Sequence, residues 1–576
     1  MSATVTKLRV KDEDFLVASM IERCPKTMMI RELLQNALEA AQSAPEGERR
    51  VEFSTVPVGG TPKLAIWNSG TGLTGPELYR MCDIAASIRK ETGLDRNFGM
   101  GAKVASLPSN QNGMRYRSAR KGTVQEVMIG KYEGVYGRLL RPGPDGQMRE
   151  VIHVTESAAA EGRPLDREWT EVVLLGNAPE QNTAADPYNG HPRSPAHWLP
   201  DTIGHRFFRF PAGTEVVIGP GIARLAQPLT VVSLAERLAR LEHYEAVKGP
   251  DGIVLHYAYD PALPRKEGVM LHESLGAVVH QNEMYAVARG NVWRREAPSF
   301  GIPFAARHVI VLVELPDDYP VQPEAYREFL RYRAGTQAQL RLMDYAGLVS
   351  RHIPGWLARL LADASPDALY LDEVREMMRA MLEEMEVQRR RPPPKPGMPG
   401  AAPPAPPAQP ADPAAKAGPQ APPPAPVLET PPALFLLRDP AELADRELTH
   451  RAAAYYAETH QLHINLAYPA VPALAGRLLA LAPATVDPEA ASDAAQTIAE
   501  RAMVLRVVRA LAYGLAKRDQ PKAWREAHLR ALLSPESLTL AGDDIETGWP
   551  DAEQAMRTAL LTLPPAPAEA GAEAPI

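Results

Sequence analysis

The sequence predicts a mixed α+β protein with several domains, and three observations support this prediction. The stretch Ile30 to Ala41 has apolar residues at helical spacing, and two short runs of β-branched and aromatic residues follow it, joined by a glycine and proline turn. The 57 prolines are unevenly distributed, and a proline-rich segment divides this α/β part from a later part with helical periodicity. At 576 residues the chain is too long for one core, so we expect about three or four domains.

The composition is that of a globular protein. Hydrophobic residues make up 45% of the chain and the formal net charge is −7, so whole-chain electrostatics favour neither nucleic acid nor an acidic membrane surface. Cys24 and Cys82 are the only cysteines, which excludes a disulfide framework or a cysteine-based zinc site and fits a reducing cytoplasm. The chain starts without an apolar signal core and has no uncharged apolar run of about 18 residues. We therefore expect a cytoplasmic protein with no membrane segment.

The first two predicted helices are Asp12 to Cys24 and Ile30 to Ala41. In the second helix Glu32, Asn36 and Glu39 lie at i, i+4 and i+7, so their oxygens line one face over two turns. An amide oxygen such as that of Asn36 can ligate Mg²⁺ beside a substrate phosphate, and Glu32 is then a candidate general base. The alternative is the solvated face of an ordinary amphipathic helix.

Two strands follow, Arg50 to Val58 and Lys63 to Trp67, with a hairpin turn between them. The second strand ends in the sequence NSGTG, which contains Asn68, Gly70 and Gly72. These glycines permit positive φ and close backbone approach, so a purine could lie against the main chain while Asn68 bonds its edge. An ordinary turn has the same composition.

A third helix is predicted at Gly75 to Lys90, and the sequence GMGAK, with Gly99, Gly101 and Lys103, opens a fourth. Glycine-rich turns at helix N-termini expose N–H groups to phosphate, and Lys103 adds a full charge. The spacing matches neither a Walker A loop nor a Rossmann fingerprint. When this motif is considered by itself, the alternative is an ordinary glycine turn that binds no ligand.

More strands are predicted downstream. The segment Arg115 to Leu140 has the pattern of a strand meander, and Gly213 to Gly219 that of a buried strand. Trp169 to Asn177 is a further buried strand, and it carries one hydroxyl, Thr170. The N-terminal part of the chain is thus predicted to be a sheet with helices.

The motifs stand in a fixed order, which is Glu32-x3-Asn36-x2-Glu39, then Asn68-x-Gly70-x-Gly72, then Gly99-x-Gly101-x-Lys103, then Thr170. This ordered set resembles the GHKL ATPase superfamily, which includes gyrase B subunits, MutL mismatch-repair proteins, the ninety-kilodalton heat-shock chaperone, MORC ATPases and sensor histidine kinases. The resemblance covers about the first 220 residues well and the next 120 loosely. It implies a Bergerat-type α/β sandwich ATPase domain, then a β/α transducer-like domain, and it implies ATP and Mg²⁺ as ligands.

The resemblance also implies roles for individual residues. Glu32 resembles the catalytic base and Asn36 the Mg²⁺ ligand, and the presence of Glu32 favours hydrolysis over phosphotransfer. The other implied nucleotide-site residues are Glu39, which closes the first motif, Gly70, Gly72 and Thr170 at the adenine pocket, and Gly99, Gly101 and Lys103 at the phosphate lid. Asn68 departs from the pattern because the family has Asp there, and an amide is a neutral and weaker acceptor for the adenine amino group.

The remainder of the chain contains weaker signals. Leu229 to Glu245 is predicted helical, and three strands after it resemble a transducer, from which a polar side chain reaches the terminal phosphate in the family. Gln322, Arg327, Arg331 and Arg307 are candidates for that side chain, with no motif to choose among them. The predicted domains are an ATP-binding domain at 1–220, a transducer-like domain at 221–345, a helical extension at 346–391, a Pro/Ala-rich linker at 392–432 that separates two functional halves, an α-helical C-terminal domain at 433–564 and a disordered tail at 565–576.

These patterns lead to two functional hypotheses. The first is a Mg²⁺-dependent ATPase that acts as a conformational switch, with ATP-dependent N-terminal dimerisation to a homodimer as in the resembled families. The second is a nucleotide-sensing scaffold that hydrolyses weakly or not at all and recruits a partner through its C-terminal domain. A topoisomerase-like subunit is a third reading, which needs a separate strand-cleaving partner. The sequence does not choose between a protein client and DNA.

Overall fold

The structure is a computed structural model that describes residues 11–84, 101–265, 273–333, 337–364, 370–388, 428–518 and 524–566. Gly99, most of the Pro/Ala-rich segment and the end of the predicted tail lie outside these residues. The described chain is mixed α+β, with several sheets and a mostly helical C-terminal region. Within these ranges, none of the helices combines the length and the hydropathy that crossing a bilayer requires.

The N-terminal unit, residues 11–232, contains a nine-stranded sheet in the order β11-β10-β1-β2-β9-β3-β4-β5, with β8 added beside β4. Its pairs are antiparallel except β1 with β10. Its elements are α1 (Glu13–Glu22), α2 (Met28–Ala41), β1 (Arg50–Val58), β2 (Thr61–Ser69), α3 (Gly75–Met81), α4 (Gly101–Ser106), β3 (Met114–Arg120), β4 (Thr123–Tyr132), β5 (Val135–Arg138), β6 (Arg141–Pro142), β7 (Met148–Arg149), β8 (Val151–His153), α5 (Thr155–Ala160), β9 (Trp169–Leu174), α6 (Trp198–Gly204), β10 (Glu215–Ile218) and β11 (Leu229–Thr230).

Helix α2 lies against one face of this sheet. Its apolar stripe, which includes Ile30, Leu34 and Leu38, is fully buried and joins the core with Phe53 of β1 and Ile66 of β2. Burial of a Leu or Ile side chain contributes about 1.5–3 kcal/mol. The packing of this stripe fixes α2 on the sheet, and the polar face of α2 is therefore also fixed in position.

The middle unit, residues 233–363, is built on a five-stranded sheet in the order β12-β13-β16-β14-β15. One apolar cluster covers each face of it. Its elements are α7 (Leu234–Leu238), β12 (His243–Lys248), β13 (Val254–Tyr259), β14 (Leu275–His280), β15 (Glu283–Arg289), α8 (Asn291–Glu296), β16 (Val309–Leu315), β17 (Val321–Pro323), β18 (Leu330–Tyr332), α9 (Ala346–Arg351) and α10 (Gly355–Asp363). The helix expected over Leu229 to Glu245 is wrong in extent, because only the five residues of α7 are helical and strands flank them.

The C-terminal unit is not all α-helical, which corrects the sequence prediction. After its first helix it contains a three-stranded sheet in the order β19-β21-β20, and the helices of the unit pack around α14. Its elements are α11 (Leu371–Glu384), β19 (Ala433–Leu437), α12 (Pro440–Asp445), β20 (Ala453–Tyr456), β21 (Gln461–Asn465), α13 (Ala470–Leu479), α14 (Pro488–Lys517), α15 (Glu526–Leu532), α16 (Pro535–Asp543) and α17 (Ile545–Leu560). Strand β20 is the Ala-rich sequence AAYY, and β21, QLHIN, is fully buried although it alternates polar and apolar residues, so neither has the usual pattern of one buried and one solvated face.

The two ends of the Pro/Ala-rich segment lie side by side. Gln388 and Leu428 form a β-bridge, and the N–H of Glu429 donates to the carbonyl oxygen of Val387 at 2.8 Å. Helix α11 before the segment shares one apolar cluster with α14 after it. The segment therefore leaves and re-enters the same unit, contrary to the expectation that it separates two functional halves.

Candidate functional site

Glu32 lies in the first half of α2, where its buried carboxylate meets the start of α4. Arg31 Nη1 donates to Glu32 Oε1, and the side chain of Glu32 is only 11% exposed. A Cβ placed on Gly101 would lie 1.8 Å from Glu32 Oε2, so with any larger residue at this position the carboxylate would have to move away from the start of α4. The structure thus brings together two motifs that are about 70 residues apart, and Gly101 makes room for Glu32.

The other end of α2 contacts the loop after β2. Gly70 has φ +120°, and a Cβ on it would lie 2.1 Å from the carbonyl oxygen of Ala40. Ser43 Oγ accepts a hydrogen bond from the N–H of Thr71 at 2.7 Å and donates one to the carbonyl oxygen of Ala40 at 2.7 Å. The loop therefore lies directly on the C-terminal end of α2, about 12 Å along the helix from Glu32.

The same loop is also held to the sheet. A Cβ on Gly72 would lie 1.8 Å from the carbonyl oxygen of Ala119 on β3. Ser118 Oγ accepts from the N–H of Leu73 at 2.7 Å and shares a hydrogen bond with Thr170 Oγ1 at 2.8 Å. Sequence reasoning missed Ser118, because a serine in a strand between arginines carries no signal of this role.

Asn68 and Thr170 are direct cross-strand neighbours on β2 and β9. Neighbours at such a pair have Cβ atoms about 4.5–5.5 Å apart. The side chain of Asn68 is buried, and its Nδ2 donates to the carbonyl oxygen of Ser69 at 2.9 Å, which leaves Oδ1 as an acceptor. Asn68, Thr170 and Ser118 thus form a short polar row on the sheet beside the glycine loop.

Asn36 and Glu39 lie on α2 between its two contacts. Asn36 is exposed, and half-buried Glu39 accepts a hydrogen bond from Gln35 Nε2 at 2.9 Å. An exposed amide one turn from a buried carboxylate suits a Mg²⁺ ion that keeps several waters. Within the described ranges no three His, Cys, Asp or Glu side chains are placed to hold a metal ion together. An ion held by Asn36 would therefore need most of its ligands from water or from a bound molecule.

Lys103 is buried at the end of α3. Its Nζ donates to the main-chain carbonyls of Met81 and Asp83, the latter at 2.7 Å. Burial lowers the pKa of Lys103 to about 8, although Cys82 and Asp83 act in the opposite direction. Two of its three N–H donors are used within the protein, so in this conformation Lys103 mainly ties α4 to α3.

Arg31 is a second residue that sequence reasoning missed. Its side chain is 4% exposed, and it pairs with Glu32 and with Glu283 of the middle unit. Burial alone lowers the pKa of Arg31, but these two carboxylates outweigh it and raise the pKa. Because Arg31 lies one turn before Leu34 and two turns before Leu38 on the apolar side of α2, its position was a signal of a buried partner.

The candidates from the middle unit for a phosphate contact lie in different places. Arg307 forms an ion pair with Asp445 of α12 at 2.7 Å, and Arg331 stacks over Phe329 at 5.0 Å. Gln322 is paired with Arg331 between β17 and β18. Arg327 is connected to α2 through other residues: its carbonyl oxygen accepts from Arg206 Nη2 at 2.9 Å, and Arg206 and Arg31 of α2 both bind Glu283.

Comparison with known proteins adds little to this geometry. No family model and no curated protein sequence matches the chain. Among solved structures, the chain is similar to the B subunit of DNA gyrase from Myxococcus xanthus at 15% identity, over 60% of this chain and 90% of that chain, with a TM-score of 0.29. A likeness at that TM-score does not support an argument about function. The functional proposal rests instead on the contacts described above.

Proposed function

We propose that this chain binds ATP with Mg²⁺ on the polar face of α2 and hydrolyses it as a GHKL-type ATPase. One observation carries the proposal: α2 meets Gly101 at Glu32 and meets Gly70 at Ala40, so motifs from three parts of the chain lie along one helix. The glycine loop and Asn68 would receive the base at one end of α2. The terminal phosphate would lie at the other end, near Glu32.

In this proposal each residue has a stated task. The bound metal would supply charge neutralisation for the phosphates, and Asn36 is the side chain that would hold it. Glu32 orients and deprotonates the attacking water. Asn68 Oδ1 accepts from the exocyclic amine of adenine, and Thr170 and Ser118 support the loop that carries Gly72. Hydrolysis and release of phosphate would then reset a conformational switch.

The proposal includes ATP-dependent dimerisation through the N-terminal unit. Two apolar side chains of α1 support it, because Phe15 is 70% exposed and Leu16 is 43% exposed. A second copy of the chain would cover them. A protein client or DNA would then respond to the dimer, as in the resembled families.

The alternative is a nucleotide-sensing scaffold with little or no turnover. Two observations favour it: the carboxylate of Glu32 is already ion-paired with Arg31, and Asn68 stands where the resembled family has a charged acceptor. Such a protein would bind ATP and recruit a partner through its C-terminal unit.

Two measurements on the wild type and on Glu32→Gln distinguish the ATPase from the scaffold: the steady-state rate of ATP hydrolysis and the affinity for ATP. The matched control is Glu46→Gln, because Glu46 is exposed in the turn after α2. The ATPase proposal expects Glu32→Gln to bind ATP normally and to lose turnover, with Glu46→Gln unchanged. Equal turnover by all three proteins would refute Glu32 as the base. ATP binding by the wild type without turnover would favour the scaffold.

A further inference from the structure

A buried cluster of charges joins the N-terminal unit to the middle unit beside Glu32. Arg31 Nε donates to Glu283 Oε2 at 2.8 Å, and Arg31 Nη2 pairs with Glu283 Oε1. Arg206 Nε also donates to Glu283 Oε2 at 2.8 Å. The side chains of Arg31, Glu283 and Arg206 are 4%, 6% and 14% exposed. Such a bidentate pair has a defined geometry and little freedom to rotate.

The backbone holds Glu283 firmly in this place. Glu283 is the first residue of β15, directly after a tight turn in which Gln281 and Asn282 have φ of 51° and 64°. The carbonyl oxygen of Asn282 accepts from the N–H of Phe208 at 2.8 Å, and the N–H of Met284 donates to the carbonyl oxygen of Arg206 at 2.7 Å. A movement of the β14–β15 hairpin would therefore carry the Glu283 carboxylate with it.

The guanidinium of Arg31 is divided between two carboxylates. Nε and Nη2 are committed to Glu283, and Nη1 is the group that reaches Glu32. Burial raises the pKa of Glu283, but Arg206 and Arg31 outweigh it and lower the pKa to about 2, so Glu283 stays charged at neutral pH. The direction of Nη1, and with it the position of the Glu32 carboxylate, then depends on where Glu283 lies.

We propose that Glu283 is a positioning residue through which the middle unit sets the orientation of Glu32 by way of Arg31. The inference rests on the proposed function, in which Glu32 is the catalytic base. It assigns to the middle unit a control over hydrolysis that needs no contact with the nucleotide. Displacement of the hairpin rotates Arg31 and moves Glu32 away from the attacking water.

A second ion pair between the two units provides a matched control. Arg209 binds Glu314 of β16 with both terminal nitrogens, and Glu314 also contacts His256 Nε2 at 2.8 Å. Its carboxylate joins the same units as Glu283 does, and within the described part of the chain its side-chain partners Arg209 and His256 form no hydrogen bond or ion pair with the side chains of Arg31 or Glu32. Glu314→Gln thus removes a charge from the same interface without changing a side chain that contacts Arg31 or Glu32.

The test is the turnover of Glu283→Gln beside Glu314→Gln, with KM for ATP and thermal unfolding of each. We expect Glu283→Gln to lower kcat about tenfold or more with KM within about twofold, because a displacement of 1 Å at a reacting group costs up to about a hundredfold. Glu314→Gln should keep the wild-type kcat. An unchanged or higher kcat in Glu283→Gln, or an equal loss in Glu314→Gln, would overturn the inference.

Glu283→Asp is the second variant, for the case in which Glu283→Gln does not fold. It keeps the charge between Arg31 and Arg206 but withdraws it by one methylene, so we expect a folded protein with kcat lowered roughly three- to tenfold. A folded Glu283→Asp with wild-type kcat would overturn the inference. If the wild type has no turnover that depends on Glu32, the proposed function fails and the inference fails with it. If that turnover exists and neither Glu283 variant alters kcat, only the inference fails.

Discussion

Replacement of Gly101 by alanine tests the contact between the two motifs most specifically. The added Cβ would lie 1.8 Å from Glu32 Oε2 and 2.6 Å from its carboxyl carbon. Ordinary contact begins at 3.4 Å, so the carboxylate must move by about 1.6 Å. Displacement by 1 Å of a group that acts on the reacting atoms costs up to about a hundredfold in rate. We therefore expect Gly101→Ala to lower kcat for ATP about a hundredfold.

The stability of this variant should change little. The clashing atom is the end of a side chain, which can rotate, and alanine favours helix over glycine by about 1 kcal/mol. The control is Gly75→Ala at the first residue of α3, where the added Cβ meets its nearest atoms at 3.6 Å. Steady-state hydrolysis and thermal unfolding of both variants decide the matter. Normal turnover in Gly101→Ala, or an equal loss in Gly75→Ala, would refute the reasoning.

Three further predictions follow from other contacts. In denaturant titrations Gly70→Ala should lower the free energy of unfolding by more than about 3 kcal/mol, because the residue has positive φ and the added Cβ overlaps the carbonyl oxygen of Ala40. Gly60→Ala is the control, since Gly60 has positive φ but open space around it, and it should cost only about 1 kcal/mol. Burial, reinforced by Arg446, holds the pKa of His463 well below 6.5. Below about pH 6.5 the unfolded state therefore binds a proton at His463 that the folded state does not, and the free energy of unfolding should fall by up to about 1.4 kcal/mol per pH unit. The fall should be shallower in His463→Gln, and parallel curves would contradict this. A non-hydrolysable ATP analogue should double the mass measured by light scattering, and Phe15→Ser should prevent that without loss of ATP affinity, since it removes an exposed apolar side chain of α1.

The regular parts of the N-terminal unit were predictable from the sequence. Strand β1 has the predicted bounds Arg50–Val58, and the meander β3 to β5 runs from Met114 to Arg138, one residue earlier at its start than the predicted segment Arg115 to Leu140. Clear periodicity and a glycine turn made these elements visible, because each depends on residues close in sequence. The helices α1 and α2 differ from prediction by only one or two residues at their ends.

Other features depend on residues far apart in the chain. Arg31 and Glu283 are 252 residues apart, and Gln388 pairs with Leu428, which lies near the end of the Pro/Ala-rich segment. No local pattern indicates such partners. Strand β20, with its Ala-rich sequence AAYY, lies in the part of the chain that is predicted to be helical, because alanine favours helices when propensity alone is considered. Its pairing with β21 decides its structure instead.

For the candidate site, the order of the motifs indicated which residues belong together but not how they contact one another. Lys103 was expected at a phosphate, and the structure ties it to the carbonyls at the end of α3. The contact of Gly101 with Glu32 and the bond of Ser118 to the loop after Gly72 depend on the packing of α2 and β3, which spacing alone does not give.

Whether α2 forms a Mg²⁺-dependent nucleotide site is best decided by measuring ATP binding itself. Calorimetric titration of ATP into the wild type and Asn36→Ala, each with Mg²⁺ and with a chelator, separates the metal ligand from the rest of the site. We expect Mg²⁺ to tighten ATP binding to the wild type, and we expect Asn36→Ala to lose this gain while it keeps the affinity measured with chelator. Failure of the wild type to bind ATP under either condition would contradict a nucleotide site on α2.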